Sequence, residues 1–370
     1  MKKRGKMMLI FVCIIIGILL AFCVLDGSFL KRSYKTVWNP AYAERLENIQ
    51  KKIIAGAITA SSSHNMQPWL VSIKSDTELE LYADMNKRLS VIDSENKQTL
   101  ISQGTFIEKY RKTAAVYGYE TQVVYSDITI KNGRLKIADI SIERKGKAKT
   151  VDIITSATFN YVEEEEENNL LSEVEEVSKT YPNLEYETIF VKDYADIQTW
   201  LRKAYAIESS DEAAMKELLE NFRFTEWDKS QYRYGLSLNT LPSALMPFLQ
   251  PIIKISATNW ESFGQSSIRT FDERLEKEFA YILIKAKNPT EVDYIKTGEF
   301  YQTITNAVKG YTLRPAVQLL EDFDAMSMLK EGFKEKYSPD SEIMLIIGIK
   351  KSEPVNNPPI RHLVEDILID

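Results

Sequence analysis

The stretch Ala60-Ser61-Ser62-Ser63-His64-Asn65-Met66-Gln67-Pro68-Trp69 decides how this chain is read. Three small hydroxyl residues let a backbone approach a flat ligand closely. Asn65 and Gln67 each carry donors and an acceptor, which suits the edge of a heteroaromatic ring. Pro68 restricts the residue before it to extended backbone, and Trp69 offers a large core anchor. On residues alone, a capped helix–strand connection explains the string equally well. Before it, Asn39-Pro40 reads as an N-cap with Pro at the first helical position, and Tyr42, Leu46, Ile49, Ile53 and Ala57 follow at helical spacing. After it, 70–73 and 78–83 read as strands.

Further on, Leu100, Phe106, Ile107, Tyr110 and Ala114 predict a helix over 97–117, and 121–125 a strand. Asn132-Gly133, between Ile128/Ile130 and Leu135/Ile137, predicts a type I′ hairpin. Five glutamates at 163–167 open a helix whose N-terminus suits acids; a cation site is the rival reading. Strands are expected at 186–192, 280–287 and 342–349, and helices near 194–206, 210–222, 290–310 and 321–336. The segment 235–260, rich in Pro and aromatic residues, reads as core, or else as a lid or pocket wall. Gly104-Thr105-Phe106-Ile107 is echoed 194 residues later by Gly298-Glu299-Phe300-Tyr301. Because the order of elements also repeats, a duplicated α+β unit is expected.

The chain has 370 residues, of which 44% are apolar and 27% charged. That composition is globular and excludes wholesale disorder. Residues 7–25 form an uncharged apolar run of 19 residues. It is long enough, at about 1.5 Å per residue, to cross a bilayer's hydrocarbon core. Lys2, Lys3, Arg4 and Lys6 precede it while Lys31, Arg32 and Lys35 follow, a difference that favours a cytoplasmic N-terminus and an extracytoplasmic body. A cleaved signal peptide is the alternative; the lack of a small-x-small site after the run favours an uncleaved anchor. Residues 1–35 hold seven Lys/Arg and one acidic residue, which leaves 40 basic and 52 acidic residues beyond them, net −12. That balance argues against nucleic acid as a partner. Both cysteines, Cys13 and Cys23, lie in the apolar run, and His64 and His362 are the only histidines. Thiolate and multi-histidine metal sites are therefore not expected.

The 60–69 string resembles the loop of the nitroreductase family, a Pro-Ser-Ser-x-Asn-x-Gln-Pro-Trp pattern. Its His64-Asn65-x-Gln67-Pro68-Trp69 form, followed by Leu81-Tyr82-Ala83-Asp84 and Arg88-Leu89, is similar to the Acg-like branch, in which one chain carries two nitroreductase-like halves. Pro359-Ile360-Arg361 before an apolar tail resembles the family's C-terminus. The resemblance implies an α+β, three-layer fold with a central antiparallel-type sheet flanked by helices. The expected organisation is an anchor at 1–25, a linker at 26–39, a first half at 40–155 and a second at 156–370. It implies FMN held where the halves meet, with Ser62, Ser63 and Asn65 against the flavin and Arg361 near its phosphate. No protein nucleophile is required, and because both halves share one chain, a monomer could complete the cavity. His64 would be a hydrogen-bonding loop residue or a flavin-edge contact, and His362 a surface residue or an aid to an anion.

The sequence departs from the family in three places. Ser61 stands where the family has Pro. The best match to the family's phosphate-gripping Arg segment, 156–161, contains no arginine. An extracytoplasmic body would also be separated from NAD(P)H. Beside an FMN-dependent oxidoreductase, the sequence therefore leaves open a non-catalytic protein that binds a flavin or another flat small molecule, and an interaction module that has lost its cofactor.

Overall fold

The computed structural model describes residues 2–127, 130–148, 167–190, 194–237, 245–257, 259–308, 310–353 and 358–370. It opens with an apolar helix, α1 (Lys2–Asp26), whose segment Lys6–Asp26 is long and apolar enough to cross a membrane. The polar stretch after it is docked. Tyr34 and Val37 are buried, the Tyr34 hydroxyl donates to Glu226 Oε2 (2.7 Å), and Trp38 Nε1 donates to the Pro359 carbonyl (2.8 Å). The helix expected from Asn39 is broken into α2 (Ala41–Glu44) and α3 (Ile49–Ala57). Asn48 restarts it by accepting from Lys51 N, which satisfies one of the free N–H groups of a helix start.

The expected single central sheet is not formed. The chain builds two antiparallel sheets, and the same plan produces both. In the first, β1 (Trp69–Ile73), β2 (Glu78–Asp84), β3 (Tyr119–Tyr125) and β5 (Arg134–Arg144) lie in the order β1-β2-β5-β3, with α4 (Lys97–Val116) between β2 and β3. The short β4 (Ile130–Lys131) pairs with β5. Asn132 and Gly133 both take positive φ, as a type I′ turn requires. In the second sheet, β6 (Glu185–Phe190), β7 (Ala280–Ala286), β8 (Tyr311–Ala316) and β9 (Glu342–Lys351) lie in the order β6-β7-β9-β8. Here α11 (Glu291–Ala307) stands between β7 and β8. Strand for strand the two topologies coincide, and α5 (Glu167–Ser178) precedes β6 as α3 precedes β1. Glu163–Glu166 and 156–161 lie outside the described residues.

The halves meet along α4 and α11. A methyl group on Gly104 would strike the Ile295 carbonyl oxygen, and one on Gly298 would strike the Ile101 carbonyl oxygen. Each contact is the other shifted by 194 residues, so the pair is self-complementary in the way a two-fold dimer interface is. Only glycine permits the two backbones to come this close. From two residues after each glycine, side chains of α4 and α11 pack on the sheet of their own half. Phe106, Ile107 and Tyr110 are buried with Leu81, Ile137 and Ile140, while Phe300 and Ile304 are buried with Ile282, Ile284 and Ile347.

Two additions break the symmetry. Among the described residues, the β6–β7 connection holds five helices: α6 (Tyr194–Ser210), α7 (Glu212–Glu220), α8 (Glu226–Tyr232), α9 (Met246–Ser256) and α10 (Trp260–Leu275). With α12 (Ser327–Tyr337), which starts later than the expected 321, α6 and α10 cover the outer face of the second sheet: Ile197, Leu201, Phe271 and Phe333 pack on Tyr281, Leu283 and Ile346. This is why β9 is a near-continuous buried run while β5, at the matching place in the first sheet, interrupts its buried residues with partly covered and exposed ones. The C-terminal tail then crosses to the first sheet, where Val71 N donates to Ile367 O (2.8 Å) and Ile369 N to Val71 O (2.9 Å).

Candidate functional site

The 60–69 string forms a tightly wound loop between α3 and β1. Ser62 is extended, and His64, Asn65 and Gln67 have φ of 44°, 55° and 50°. Three left-handed side-chain-bearing residues within four positions are costly, and such strain persists only where the surroundings over-determine it. They do so here. Gln67 N donates to Ser62 Oγ (2.9 Å), Gly235 N donates to Asn65 O (2.9 Å), and His362 N donates to Gln67 Oε1 (2.9 Å). Gln103 Nε2 donates to Pro68 O (2.7 Å) and Trp69 Nε1 to Ser102 O (2.9 Å), which tie the exit of the loop to α4.

The loop forms one wall of a cavity of about 540 Å³ at the junction of the halves. That volume suits a cofactor-sized ligand. Ser62, Ser63, His64 and Asn65 come from the loop; Ile101, Ser102 and Thr105 come from α4; Tyr301, Leu313 and Arg314 come from the second half, and Arg274 from α10. The sequence reading thus placed three of its four residues, Ser62, Ser63 and Asn65, on the cavity wall.

The roles of those residues differ from the expectation. The Asn65 side chain is engaged inside the protein: Nδ2 donates to Gly235 O and Ile360 O (3.0 Å each), and Oδ1 accepts from Arg361 Nη1. Ser63 Oγ donates to Gln98 Oε1 (2.5 Å). Ser62 Oγ accepts from Gln67 N, which leaves its own proton free for a ligand. Arg361 does not line the cavity. Its guanidinium is buried behind the loop, where it donates to the carbonyls of Ala60 (3.0 Å), Thr59 (3.3 Å) and Ile360 (2.9 Å). Burial lowers its pKa to about 9, so it remains charged at neutral pH. Arg361 therefore holds the strained loop in shape. His362 is buried too, 2.9 Å from Lys87 Nζ through Nε2, and is no surface residue. Arg88 bonds Asn96 (3.1 Å) and Asp84 caps Asn86 N (3.1 Å), so both are structural.

The cationic side chains that do face the cavity are ones the sequence reading missed. Arg274 donates to Pro315 O (3.0 Å) and lies beside the buried Glu278 (3.4 Å). Arg314 makes no hydrogen bond or ion pair among the described residues, and burial together with the neighbouring Arg274 lowers its pKa. Two further polar atoms in the wall are buried without a partner among the described residues, His64 Nδ1 and Gln318 Oε1. Burial pushes the His64 imidazole down to about 4, so it is neutral at physiological pH. The cavity thus offers apolar walls, a hydroxyl without an acceptor among the described residues, a neutral imidazole, an amide oxygen and a guanidinium that Glu278 and Glu353 favour only at longer range. These residues fit a flat, partly polar ring carrying an anionic group, which describes FMN. Among the described residues no group of three or more His, Cys, Asp or Glu is placed to hold a metal ion.

No family model matches the chain, and no curated protein matches it. Among solved structures, the crystal structure of a "putative nitroreductase" from Anabaena variabilis ATCC 29413 aligns with 80% of this chain and 82% of its own, at 10% identity and a TM-score of 0.37. At that score the alignment carries no functional argument.

Proposed function

We propose that this chain is a membrane-anchored, nitroreductase-like flavoprotein whose single FMN site is the junction cavity, with oxidoreductase activity and an extracytoplasmic body. The observation that carries this reading is the strained Ser62–Gln67 loop, which faces Arg274 and Arg314 across a cavity between two topologically equal halves. Bound flavin supplies hydride and electron transfer. The chain's own residues would orient it. The Ser62 hydroxyl and the neutral His64 ring face it from the loop, and Ile101, Tyr301 and Leu313 exclude water from its surface. Arg314, assisted by Arg274, takes the phosphate role expected of the segment at 156–161. Asn65 and Arg361 act one layer behind, by fixing the backbone that presents Ser62 and His64.

The test is a visible absorbance spectrum of the detergent-solubilised chain, incubated with excess FMN and desalted. Retained flavin absorbance supports the reading, and a folded protein that stays colourless overturns it. Arg314→Gln should weaken FMN binding by about 10- to 100-fold, because a charge-assisted hydrogen bond contributes about 1.5–3 kcal/mol. Its melting temperature should match the parent, since the Arg314 side chain holds no described partner. Reduction of the loaded protein under anaerobic conditions then separates an oxidoreductase from a carrier that only sequesters flavin.

A further inference from the structure

Nine large apolar side chains outside α1 are exposed among the described residues, and seven of them lie on one side of the molecule. Phe29 and Leu30 follow α1 directly. Trp227 and Tyr232 are on α8, Leu245 caps the start of α9, and Ile252 and Ile255 are on α9. The last, Ile255, is 73% exposed. Both α8 and α9 pack against α1. This corner is rigid. The Asp26 carboxylate is buried and accepts from Glu226 N (3.3 Å) and Ser28 Oγ (2.6 Å), Arg32 pairs with Glu226 (3.1 Å), and a methyl on Gly27 would lie 2.8 Å from Trp227 N. Lys254, on α9, is held by Asp228 Oδ1 (2.6 Å), so its charge is turned toward α8. α9 carries no other ionisable side chain. Among the described residues of 235–260, Leu236 lines the candidate cavity, and α9 buries Gln250 and Pro251 while exposing Ile252 and Ile255, so the helix is not ordinary core.

We propose that α9, with Trp227 and Phe29, seats the body directly on the lipid surface beside the anchor. Exposed apolar patches of this extent mark contact surfaces. Lipid is the occupant because the patch is continuous with the foot of α1, whose apolar run ends at Leu25. A helix so placed lies in the interfacial zone, where aromatic rings such as Trp227 and apolar helix faces are stabilised. α1 and the interfacial helix together fix the orientation of the body, which a single flexible tether would not. The inference rests on α1 being the membrane anchor and is independent of flavin binding.

The experiment uses the full chain with Cys13→Ala and Cys23→Ala, reconstituted into phosphatidylcholine/phosphatidylglycerol vesicles. A bimane label is placed at Ile255→Cys or, as a control far from the patch, at Met328→Cys. The expected result is at least threefold stronger quenching of the Ile255 label by doxyl-lipid than of the Met328 label, and the reverse with aqueous iodide. Equal iodide quenching at the two sites overturns the proposal. So does protection of the Ile255 label from both quenchers, which would mean that a second copy covers α9. Release of the chain from vesicles by alkaline carbonate would overturn the anchor itself. Retention together with iodide access would overturn only the seating of α9.

Discussion

Two cavities straddle the α4–α11 axis, and the 194-residue offset relates them. Ser102 and Thr105 in the wall of the candidate site correspond to Lys296 and Glu299 in the wall of a second cavity of about 400 Å³. The first is left with unpartnered groups. In the second, four polar side chains are joined to one another: Tyr125 Oη donates to Glu299 Oε1 (2.5 Å), and Arg111 bonds both Glu299 (3.2 Å) and Glu108. A symmetric dimer would present two equal sites. This single chain has two related cavities, one with unpartnered polar groups and the other holding an ion-pair joint between its halves. The difference is written in small against charged residues at matched positions.

The strongest way to break the comparison is to part the halves. Gly298→Leu forces a side chain into the Ile101 carbonyl, and a backbone group cannot swing aside as a flexible side chain can. The expected destabilisation reaches about 4–5 kcal/mol, the exceptional end for one substitution. Gly104→Leu should cost the same within error if the contact is self-complementary. Urea denaturation of the two single variants and the double variant checks this; the double should fall well short of additivity, because both changes open one seam. Costs that differed widely would remove the two-fold reading.

A smaller effect sharpens the contrast between the cavities. Glu299→Ala removes two charge-assisted hydrogen bonds, from Tyr125 and Arg111, at a cost of about 2–3 kcal/mol, since Arg111 keeps Glu108. At the matched position Thr105 makes hydroxyl bonds to Ser61 O (2.5 Å) and Ser102 O (2.8 Å), and Thr105→Ala should cost about 1 kcal/mol. Glu299→Ala should leave FMN retention unchanged. Thermal melts with and without FMN separate these outcomes.

Where local chemistry and tertiary structure agree, the sequence was enough. The Asn132-Gly133 turn, the α4 periodicity and the strands around Trp69 and Tyr82 follow from residues within a few positions. The Gly104/Gly298 echo was legible because a backbone crossing this close requires glycine on both sides. The loop at 60–69 was found, but the direction of its side chains was not. Asn65 is engaged by Gly235 and Ile360, partners 170 and 295 residues away that no local pattern reveals. Arg361 was read as the basic residue near a flavin phosphate because Pro359-Ile360-Arg361 resembles the family's C-terminus; its terminal nitrogens bond three carbonyls and Asn65 instead. Arg274 and Arg314 sit in no motif. One ends a helix and the other lies in a strand, and only the closing of the halves brings them to one wall. The single sheet was expected because each half alone looks like one side of it.

The smallest effect concerns the one imidazole in the candidate site, His64, which has no counterpart in the wall of the second cavity. Burial pushes the folded pKa of His64 down to about 4, while the unfolded chain keeps the ordinary value of 6.5. Above pH 6.5 the ring is neutral in both states and contributes no pH dependence. As pH falls toward 4, the unfolded chain takes up a proton that the folded loop refuses, so the folded state loses stability through that window. The His64 side chain is partly accessible, so the loss is discounted to about 2 kcal/mol between pH 7 and pH 4.5. His64→Asn keeps the left-handed backbone, which asparagine tolerates, and removes the titrating group. Urea midpoints at the two pH values should converge for this variant relative to the parent. Parallel pH profiles would mean that the folded loop and the unfolded chain titrate His64 alike, near its ordinary value of 6.5.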